Sequence, residues 1–598
     1  VGGGDEARRA GREAGREAGR GGGTAREAGG AVEWFGAEGY TIARAVAQRG
    51  VAAVYVLAFM NVLRQFRPLL GERGLLPVPA FTERVPFRDA PSLFAWRYSD
   101  RLLVVGGWVG LLVAAVLVVG LPQQGPPWLP LLAFAVLWVL YLSVVNVGQT
   151  FYGFGWESLL LEAGFLVAFL GSDDVAPPWT VLALLWWLVF RLELGAGLIK
   201  WRGDPAWRDL TALYYHHETQ PMPGPSSRLF HLLPRPLHRV EVAANHVAQL
   251  VVPFGLLVPG PVAGTAAGVM IVTQLWLVLS GNFAWLNWLT IVLAASAVDD
   301  RSWAAVLGLV GVDVRTGAPP ADPPPWFVGV ALAVTALCVV LSFWPARNLA
   351  SRNQRMNASF NPFHLVNAYG AFGTITRRRT EVVVEGTRDE DPEAATWLEY
   401  GFRGKPGDVR RLPRQYAPYH LRLDWLMWFL ALGSAAQLRW FVPFLAKLLE
   451  ADRPTLRLLA HDPFRGERPR WVRARLYGYR FATPGGAPGH RRPVGARGPG
   501  AAGRRGEPGA ADPASLTRRR SPPTTRPRLP DAPAWRGARR VTPAAAPGPP
   551  AARAPRPRPP PRPRRARRAP RAPRAGRPRA ARPAAAARRP ARTATPPC

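Results

Sequence analysis

Within residues 41–350 the apolar positions are gathered into long runs with few charges, separated by short stretches rich in Arg, Pro and Gly. A run of about 20 apolar residues is what an α-helix needs to cross the hydrocarbon core of a bilayer. The pattern predicts helices at 45–63, 102–121, 128–147, 157–170, 179–199, 242–258, 262–280, 283–298 and 326–344, about nine in all. The runs at 157–170, 242–258 and 283–298 are short or polar for that task, so tilted, re-entrant or internally buried helices are expected there.

Beyond Trp344 and Pro345 the pattern changes. Residues 351–483 are polar, rich in Arg, Tyr and turn residues, and hold no run of membrane length, which predicts a soluble module. Residues 380–386 and 397–402 have β-branched or aromatic content with turn residues between them, and 470–481 alternates in a similar way, so paired strands are expected. Between them, 421–449 is a long apolar helical stretch interrupted at Pro443; Arg439 and Lys447 break its apolar face, so it reads as a core or interfacial helix rather than a span. The predicted fold class is therefore a membrane all-α domain of about nine transmembrane helices, residues 41–350, followed by a small soluble β-rich α+β domain, residues 351–483. Residues 1–40 open on Gly/Arg/Glu/Ala repeats with no hydrophobic period, and 484–598 is Pro/Arg/Ala-rich; neither composition can bury a core, and both are expected to be disordered.

Composition changes this picture in three ways. The formal charge of +36 on 598 residues invites a nucleic-acid reading. Residues 491–598 hold 29 Arg and three acids, so +26 of it sits in the tail; the folded part is only mildly basic and no specific nucleic-acid partner is expected. The tail also reads as the product of a shifted reading frame, because aromatics nearly vanish and Arg, Pro, Ala and Gly are what GC-rich codons yield out of frame. Only three Lys (Lys200, Lys405, Lys447) stand against 73 Arg, which points to a GC-rich, bacterial genome. Two cysteines, Cys338 and Cys598, exclude a disulfide framework and a thiolate metal site. Residues 1–30 do not have the pattern of a secretory signal, so insertion is expected to use the internal apolar runs.

Ionisable residues inside membrane helices are expensive and mark function or specific pairing. Glu162 lies in one apolar run, and Arg191, Glu193 and Lys200 lie in the next. They read as an ion pair that fixes helix register, with Lys200 snorkelling at a helix end. The competing reading makes Lys200 a base, which requires burial to lower its pKa. The loop 201–238 contains adjacent His216, His217 and Glu218, without the one-turn spacing that sets two imidazoles on one helix face, so no metal is expected there. Asn245 and His246 read as polar helix contacts. Nucleotide-binding loops, dinucleotide fingerprints and a nucleophile elbow are missing from any strand-turn-helix context, so no cofactor is expected.

The longer motifs carry a resemblance. The stretches 65–77 and 195–221, the latter ending in Tyr214-Tyr215-His216-His217-Glu218-Thr219-Gln220-Pro221, resemble the lipase maturation factor family. So do 361–373 (NPFHLVNAYGAFG), 379–387, Lys405-Pro406-Gly407-Asp408, 418–428 (PYHLRLDWLMW) and 461–464, and the resemblance runs from about 42 to 481. It implies a polytopic protein whose animal members reside in the endoplasmic reticulum and assist folding and assembly of secreted lipases. It also implies that the soluble domain faces the lumen and engages the client. A second resemblance covers Gly197, Lys200 and Trp207 alone and is to the vitamin K-dependent carboxylase family, where a Lys serves as base; a transporter is the third reading.

Excess Arg in the loops 64–101 and 200–239, with Asp173, Asp174, Asp299 and Asp300 on alternate connections, puts the basic loops and the soluble domain inside by the positive-inside rule, whereas the resemblance puts that domain outside the cytoplasm. The sequence is thus expected to encode a multipass maturation factor that acts without catalysis. Its location would be the cell membrane if bacterial or the endoplasmic reticulum membrane if eukaryotic, and its partners the lipid bilayer and secreted lipases or other secreted client proteins. Tyr369, Phe372, Tyr416, Tyr419, Trp425 and Trp428 are the candidates for the client surface, with a core role as the competing reading for each.

Overall fold

The computed structural model describes residues 34–312, 321–483, 491–493 and 517–518. These belong to one of the chain's two compact units; the other, Arg520–Pro597, lies outside the described residues. So does most of the expected disorder, 1–33 within 1–40 and nearly all of 484–598.

Ten of the described helices of the membrane half matter here: α1 (Thr41–Asn61), α2 (Asp100–Val119), α3 (Trp128–Val147), α4 (Gly155–Val167), α5 (Trp179–Arg202), α6 (Leu213–Thr219), α7 (Arg235–Leu250), α8 (Pro261–Ser280), α9 (Leu286–Ala295) and α10 (Pro325–Leu341). Among the described residues seven helices are long and apolar enough to cross a membrane, containing α1, α2, α3, α5, α7, α8 and α10. Of the about nine expected, these seven are long enough by themselves; α4, with 13 residues, and α9, with 10, are the short ones. At 1.5 Å per residue they reach only about 20 and 15 Å.

Both short helices nonetheless run between the same two ends of the bundle. At one end, Thr41 N–H donates to Asp300 Oδ2 at 2.9 Å, Trp179 N–H to the Phe35 carbonyl, and Asp173 N–H to the Gln123 carbonyl. At the other, Gln149 Nε2 donates to the Leu76 carbonyl at 3.0 Å, Asn282 Nδ2 to the Arg414 carbonyl, and Arg202 Nη1 to the Ser351 carbonyl. A helical turn (Gln149–Tyr152) before α4 and a 3-10 turn (Ala168–Leu170) after it, and non-helical chain at 281–285 before α9, complete each crossing. Such backbone is tolerated at membrane depth only where protein shields it. No residue of α4 is exposed, and in α9 only Trp288 is. The outer helices instead turn Val105, Trp108, Leu112 and Val116 of α2, and Val330, Leu337 and Val340 of α10, outward as a lipid-facing surface.

Local chemistry sets the ends and the fit. Ser99 Oγ accepts from Leu102 N–H to cap α2, and Gly120, at φ +93°, closes it in the left-handed region that favours glycine. Gly164 lets α4 lie against α1, since a Cβ there would fall 2.2 Å from the Tyr55 hydroxyl. Directly after α1, residues Val62–Phe66 form a π-helical turn. Such turns re-aim side chains at functional positions, and here the turn carries Gln65 while Asn61 lies at its entry.

The C-terminal module is built on a small antiparallel sheet, with β1 (Arg379–Thr387) between β2 (Leu398–Glu399) and β3 (Trp471–Tyr479). The register pairs Thr380 with Gly478 and Glu385 with Arg473. All three expected strand regions form, the middle one for two residues only. Residues β4 (Arg491–Pro493) and β5 (Thr517–Arg518) add short ladders to β3. Except at Thr380, β1 is buried on both faces, which is why it reads as a continuous Val run rather than an alternation. The stretch 421–449 becomes two helices, α11 (Arg422–Ala431) and α12 (Leu438–Leu449), broken where Gly433 takes φ +85°. α12 buries Trp440, Phe441, Phe444 and Leu448 and exposes Leu438 and Val442, the amphipathic outcome that Arg439 and Lys447 foretold.

Candidate functional site

The sequence motifs converge on the seam where the C-terminal module meets the helix bundle. The segment before β1 is threaded against the bundle as a strap. Glu162 of α4 binds Arg191 of α5 in a buried ion pair. Its other oxygen accepts from Asn367 N–H at 2.8 Å, Asn367 Nδ2 at 2.9 Å and the Tyr369 hydroxyl at 2.7 Å, and Arg191 also donates to the Asn367 carbonyl. Burial, with the Glu162 carboxylate next to it, pushes the Tyr369 hydroxyl well above its ordinary pKa, so it stays a donor. Three residues of the strap, His364, Val366 and Phe372, stand at φ +51° to +55° without being glycine. Such backbone persists only when its surroundings over-determine it. Here Asn361 Oδ1 accepts from Phe363 and Leu365 N–H, and His364 Nε2 lies 3.0 Å from Asn146 Oδ1.

A second cluster fixes the start of α11. Arg422 Nη1 donates to Glu157 Oε1 and to the Phe151 carbonyl, both at 2.7 Å, and its Nε donates to Asn61 Oδ1 at 2.8 Å. Its guanidinium lies 3.4 Å from the Tyr152 ring centre. Gln65 donates to the His420 carbonyl at 2.7 Å and accepts from Arg422 N–H at 3.1 Å, so the π turn after α1 reads the His420–Arg422 backbone from both sides. Glu157, His420 and Arg422 are completely buried. Burial and the neighbouring Arg422 charge hold the His420 pKa down at about 4, against the pull of Glu157, so the ring is neutral at physiological pH.

A third cluster joins β1 to the loop around α6. Arg379 donates to Glu381 at 2.6 Å and to the carbonyls of Glu218, Gln220 and Pro221, while Lys405 Nζ lies 3.0 Å from Glu381 Oε2. Burial alone would raise the Glu381 pKa, but Lys405 and Arg379 hold it below the usual carboxylate range. Gln220 in turn donates to the His217 and Ser280 carbonyls and to Ser227 Oγ.

The four intramembrane residues named from sequence fall into two groups. Glu162 pairs with Arg191, as above. Glu193 accepts from Gln249 at 3.0 Å and Gln274 at 2.6 Å, and Lys200 reaches the same Gln249 at 2.7 Å, so Glu193 and Lys200 are joined through an amide. Lys200 is buried, not snorkelling, and lies 5.1 Å from the Trp207 ring centre. His216 and His217 diverge: His216 packs on Phe283 and Phe372, and burial with His217 and Lys200 nearby lowers its pKa to about 3. His217 turns to Phe230, His238 and Glu241. Glu218 accepts from Phe481 N–H at 2.8 Å.

Of the six aromatic candidates for a client surface, Tyr369 and Trp425 are buried, the latter against Trp156 and Phe154. Phe372, Tyr416, Tyr419 and Trp428 are half-buried at the seam; the Trp428 indole donates to the Thr219 carbonyl at 3.0 Å, and the Tyr419 hydroxyl accepts from Gln65. Sequence reasoning gives no role to Asn61 or Glu157, and takes in Gln65, Arg379, Glu381, Lys405, His420 and Arg422 only within the motifs of the resemblance, not as site residues. One signal was available, since Glu157 and Arg422 are charged residues set inside strongly apolar helical stretches.

Comparison with known proteins places the chain among relatives. The family description "Lipase maturation factor transmembrane domain" matches residues 42–305, and "Lipase maturation factor C-terminal domain" matches 365–494. The chain is 40% identical to lipase maturation factor 1 of Bos taurus, over 75% of this chain and 85% of the relative. It is 40% identical to lipase maturation factor 1 of Homo sapiens, over 75% and 84%. It is 29% identical to lipase maturation factor 2 of Homo sapiens, over 75% and 80%. No solved structure matches.

Proposed function

Since the chain belongs to the lipase maturation factor family, we propose that it is a multipass membrane maturation factor that helps secreted lipases reach their active fold, and that it does so by binding rather than by catalysis. The observation that carries this reading is the seam. The motifs 65–77, 214–221, 361–373 and 418–428 are spent on keying the module to the bundle, through the buried Arg422–Glu157 ion pair and through hydrogen bonds from Asn367 and Tyr369 to Glu162 and from Arg379 to the carbonyls of the loop around α6. A module held this rigidly presents a fixed surface to an incompletely folded client beside the membrane it has just crossed. That membrane is the cell membrane in a bacterium and the endoplasmic reticulum in a eukaryote, with the module on the face where secreted proteins fold.

The client face combines the half-exposed Phe372, Tyr416, Tyr419 and Trp428 with Leu432, Leu438 and Val442, which lie exposed around the α11–α12 break. Trp428 and Leu432 are one helical turn apart and share a face. Tyr369 and Trp425 are buried and are not part of it. Nothing in the comparisons points to a carboxylase or a transporter, and the Lys200 ammonium serves as a donor to Gln249 and Asn245.

The test is to secrete a lipase from cells with and without the full chain and to divide lipase activity by secreted lipase mass. The ratio should rise severalfold with the chain and should survive Lys200→Ala. An unchanged ratio overturns the maturation role; a ratio that collapses with Lys200→Ala in a normally folded protein overturns the non-catalytic reading.

A further inference from the structure

His217 of α6 and His238 and Glu241 of α7 bring three ligand atoms within 4.8 Å of one another at the end of the bundle that faces the module. His217 Nε2 and His238 Nδ1 each lie 3.8 Å from Glu241 Oε2. That is too far for a hydrogen bond. Yet both histidines are only 2% exposed, and His217 Nε2, His238 Nδ1 and Glu241 Oε2 are all sealed from solvent without a hydrogen-bond partner. Leaving one buried polar atom bare costs about 1–3 kcal/mol, so three bare atoms turned towards a common point call for something between them.

The outer atoms of two of the three side chains are already occupied. His238 Nε2 faces the His231 carbonyl at 3.4 Å, which sets its proton on Nε2 and leaves the Nδ1 lone pair free. Glu241 Oε1 accepts from the Trp276 indole at 2.7 Å, which leaves Oε2 pointing inward. Orientation of a ligand by a bond on its far side is the habit of metal-binding histidines and carboxylates. His238 and Glu241 are three residues apart and share a face of α7, while His217 arrives from the loop helix; Phe230 and Trp276 wall the site with their rings 5.0 Å apart.

We propose that His217, His238 and Glu241 form a zinc site that staples α6 to the first turn of α7. Two imidazoles and one carboxylate make a three-ligand zinc set, with the fourth position left to water. Zinc–ligand bonds of about 2.0–2.1 Å in a tetrahedron place neighbouring donors about 3.3–3.4 Å apart, so the two histidine–carboxylate distances of 3.8 Å need to close by about half an ångström and the two histidines, within 4.8 Å of each other, by up to about 1.4 Å. The consequence is mechanical. The same loop carries the Glu218, Gln220 and Pro221 carbonyls that Arg379 grips, so the metal would secure the bundle's half of that joint. This inference does not depend on the lipase reading.

The test uses the full chain, purified in detergent from zinc-containing medium through a tag without histidines, and measures metal by elemental analysis. About one zinc per chain is expected, retained in His216→Ala and lost in His217→Ala and Glu241→Gln. Wild-type protein stripped with a chelator should melt at lower temperature, recover on adding zinc, and develop visible ligand-field bands when cobalt(II) is added instead. The cobalt experiment needs no variant, so it decides the matter even if the substitutions prevent folding. Wild-type protein that holds no metal and gives no cobalt bands overturns the proposal, as do cobalt bands unaltered by Glu241→Gln. Iron found in place of zinc overturns the assignment of the metal.

Discussion

At the scale of single residues, the seam concentrates charge where water is absent. Removing one member of a buried ion pair strands its partner and costs about 3–5 kcal/mol, whereas replacing both costs far less. Arg422→Ala should therefore lower the melting temperature of the detergent-solubilised protein sharply, and Arg422→Met combined with Glu157→Gln should recover much of the loss; equal loss in both would argue that packing, not charge, dominates there. The histidines add a pH dependence. Burial holds the folded pKa values of His420 and His216 at about 4 and about 3, below the ordinary imidazole value of about 6.5. Between these values the unfolded chain binds protons that the folded chain refuses, so stability falls as pH drops from about 6.5 towards 4, by up to about 1.4 kcal/mol per pH unit for each histidine. Glu381 is depressed by Lys405 and Arg379, so its contribution is full above the ordinary carboxylate pKa of about 4.3 and is lost as pH falls from there through the depressed value, in the same direction. Melting temperatures between pH 7.5 and 4.5, followed by tryptophan fluorescence, should decline; a flat profile would contradict neutral burial of these rings. The sequence announced Glu162, Arg191, Glu193 and Lys200 because they interrupt apolar runs. It was silent on their partners: Asn367 lies 205 positions from Glu162, and no local pattern records such a distance.

At the scale of elements, legibility followed burial. The helices that face lipid, α2, α3 and α10, were read nearly to the residue because lipid demands apolar side chains all round. The two that do not face lipid, α4 and α9, count among the candidate spans but read as short and open to burial, and their length, not their composition, is the signal, since an apolar run looks alike whether hydrocarbon or protein surrounds it. β1 could be read because its Val run is flanked by turn residues, while β2 shrank to two residues. The helix pair α11–α12 carries the prediction that belongs here. Leu438 and Val442 are 51% and 60% exposed and support no buried neighbour set, so Leu438→Asp with Val442→Asp should leave melting temperature within about 1 °C of wild type. The activity ratio of a co-expressed lipase should fall at least twofold; an undiminished ratio would remove this face from client binding.

At the scale of the whole molecule, the C-terminal module is not a free-standing domain. Its strap, the start of α11 and the Arg379 clasp all satisfy polar groups with atoms from the bundle. A fragment comprising residues 351–483 should therefore fail to give a cooperative melt, and should be recovered folded only when the remainder of the chain is made in the same cell. Seven long and two short passages put the start of α1 and the module at opposite ends of the bundle. Reporter fusions ahead of residue 34 and after Phe481 should accordingly report opposite sides of the membrane. A shared side would refute the path traced by α4 and α9. The basic loops lie at the module's end, so the charge pattern and the proposed role in maturing secreted proteins disagree about which side that is, and the same fusions decide between them.

The position of α4 has a bearing on how the chain itself is made. Glu157 and Glu162 emerge from the ribosome early, yet the groups that neutralise or bind them include Arg422, 265 residues later, and Asn367. At about 5–20 residues per second, Glu157 waits roughly 13–50 s for its counter-ion. Throughout that interval a short, doubly acidic helix has to be sheltered by the insertion machinery or by neighbouring helices. A protein that assists the maturation of others thus passes through a vulnerable adolescence of its own, and truncations anywhere before residue 422 should be destroyed during biogenesis rather than accumulate as stable intermediates.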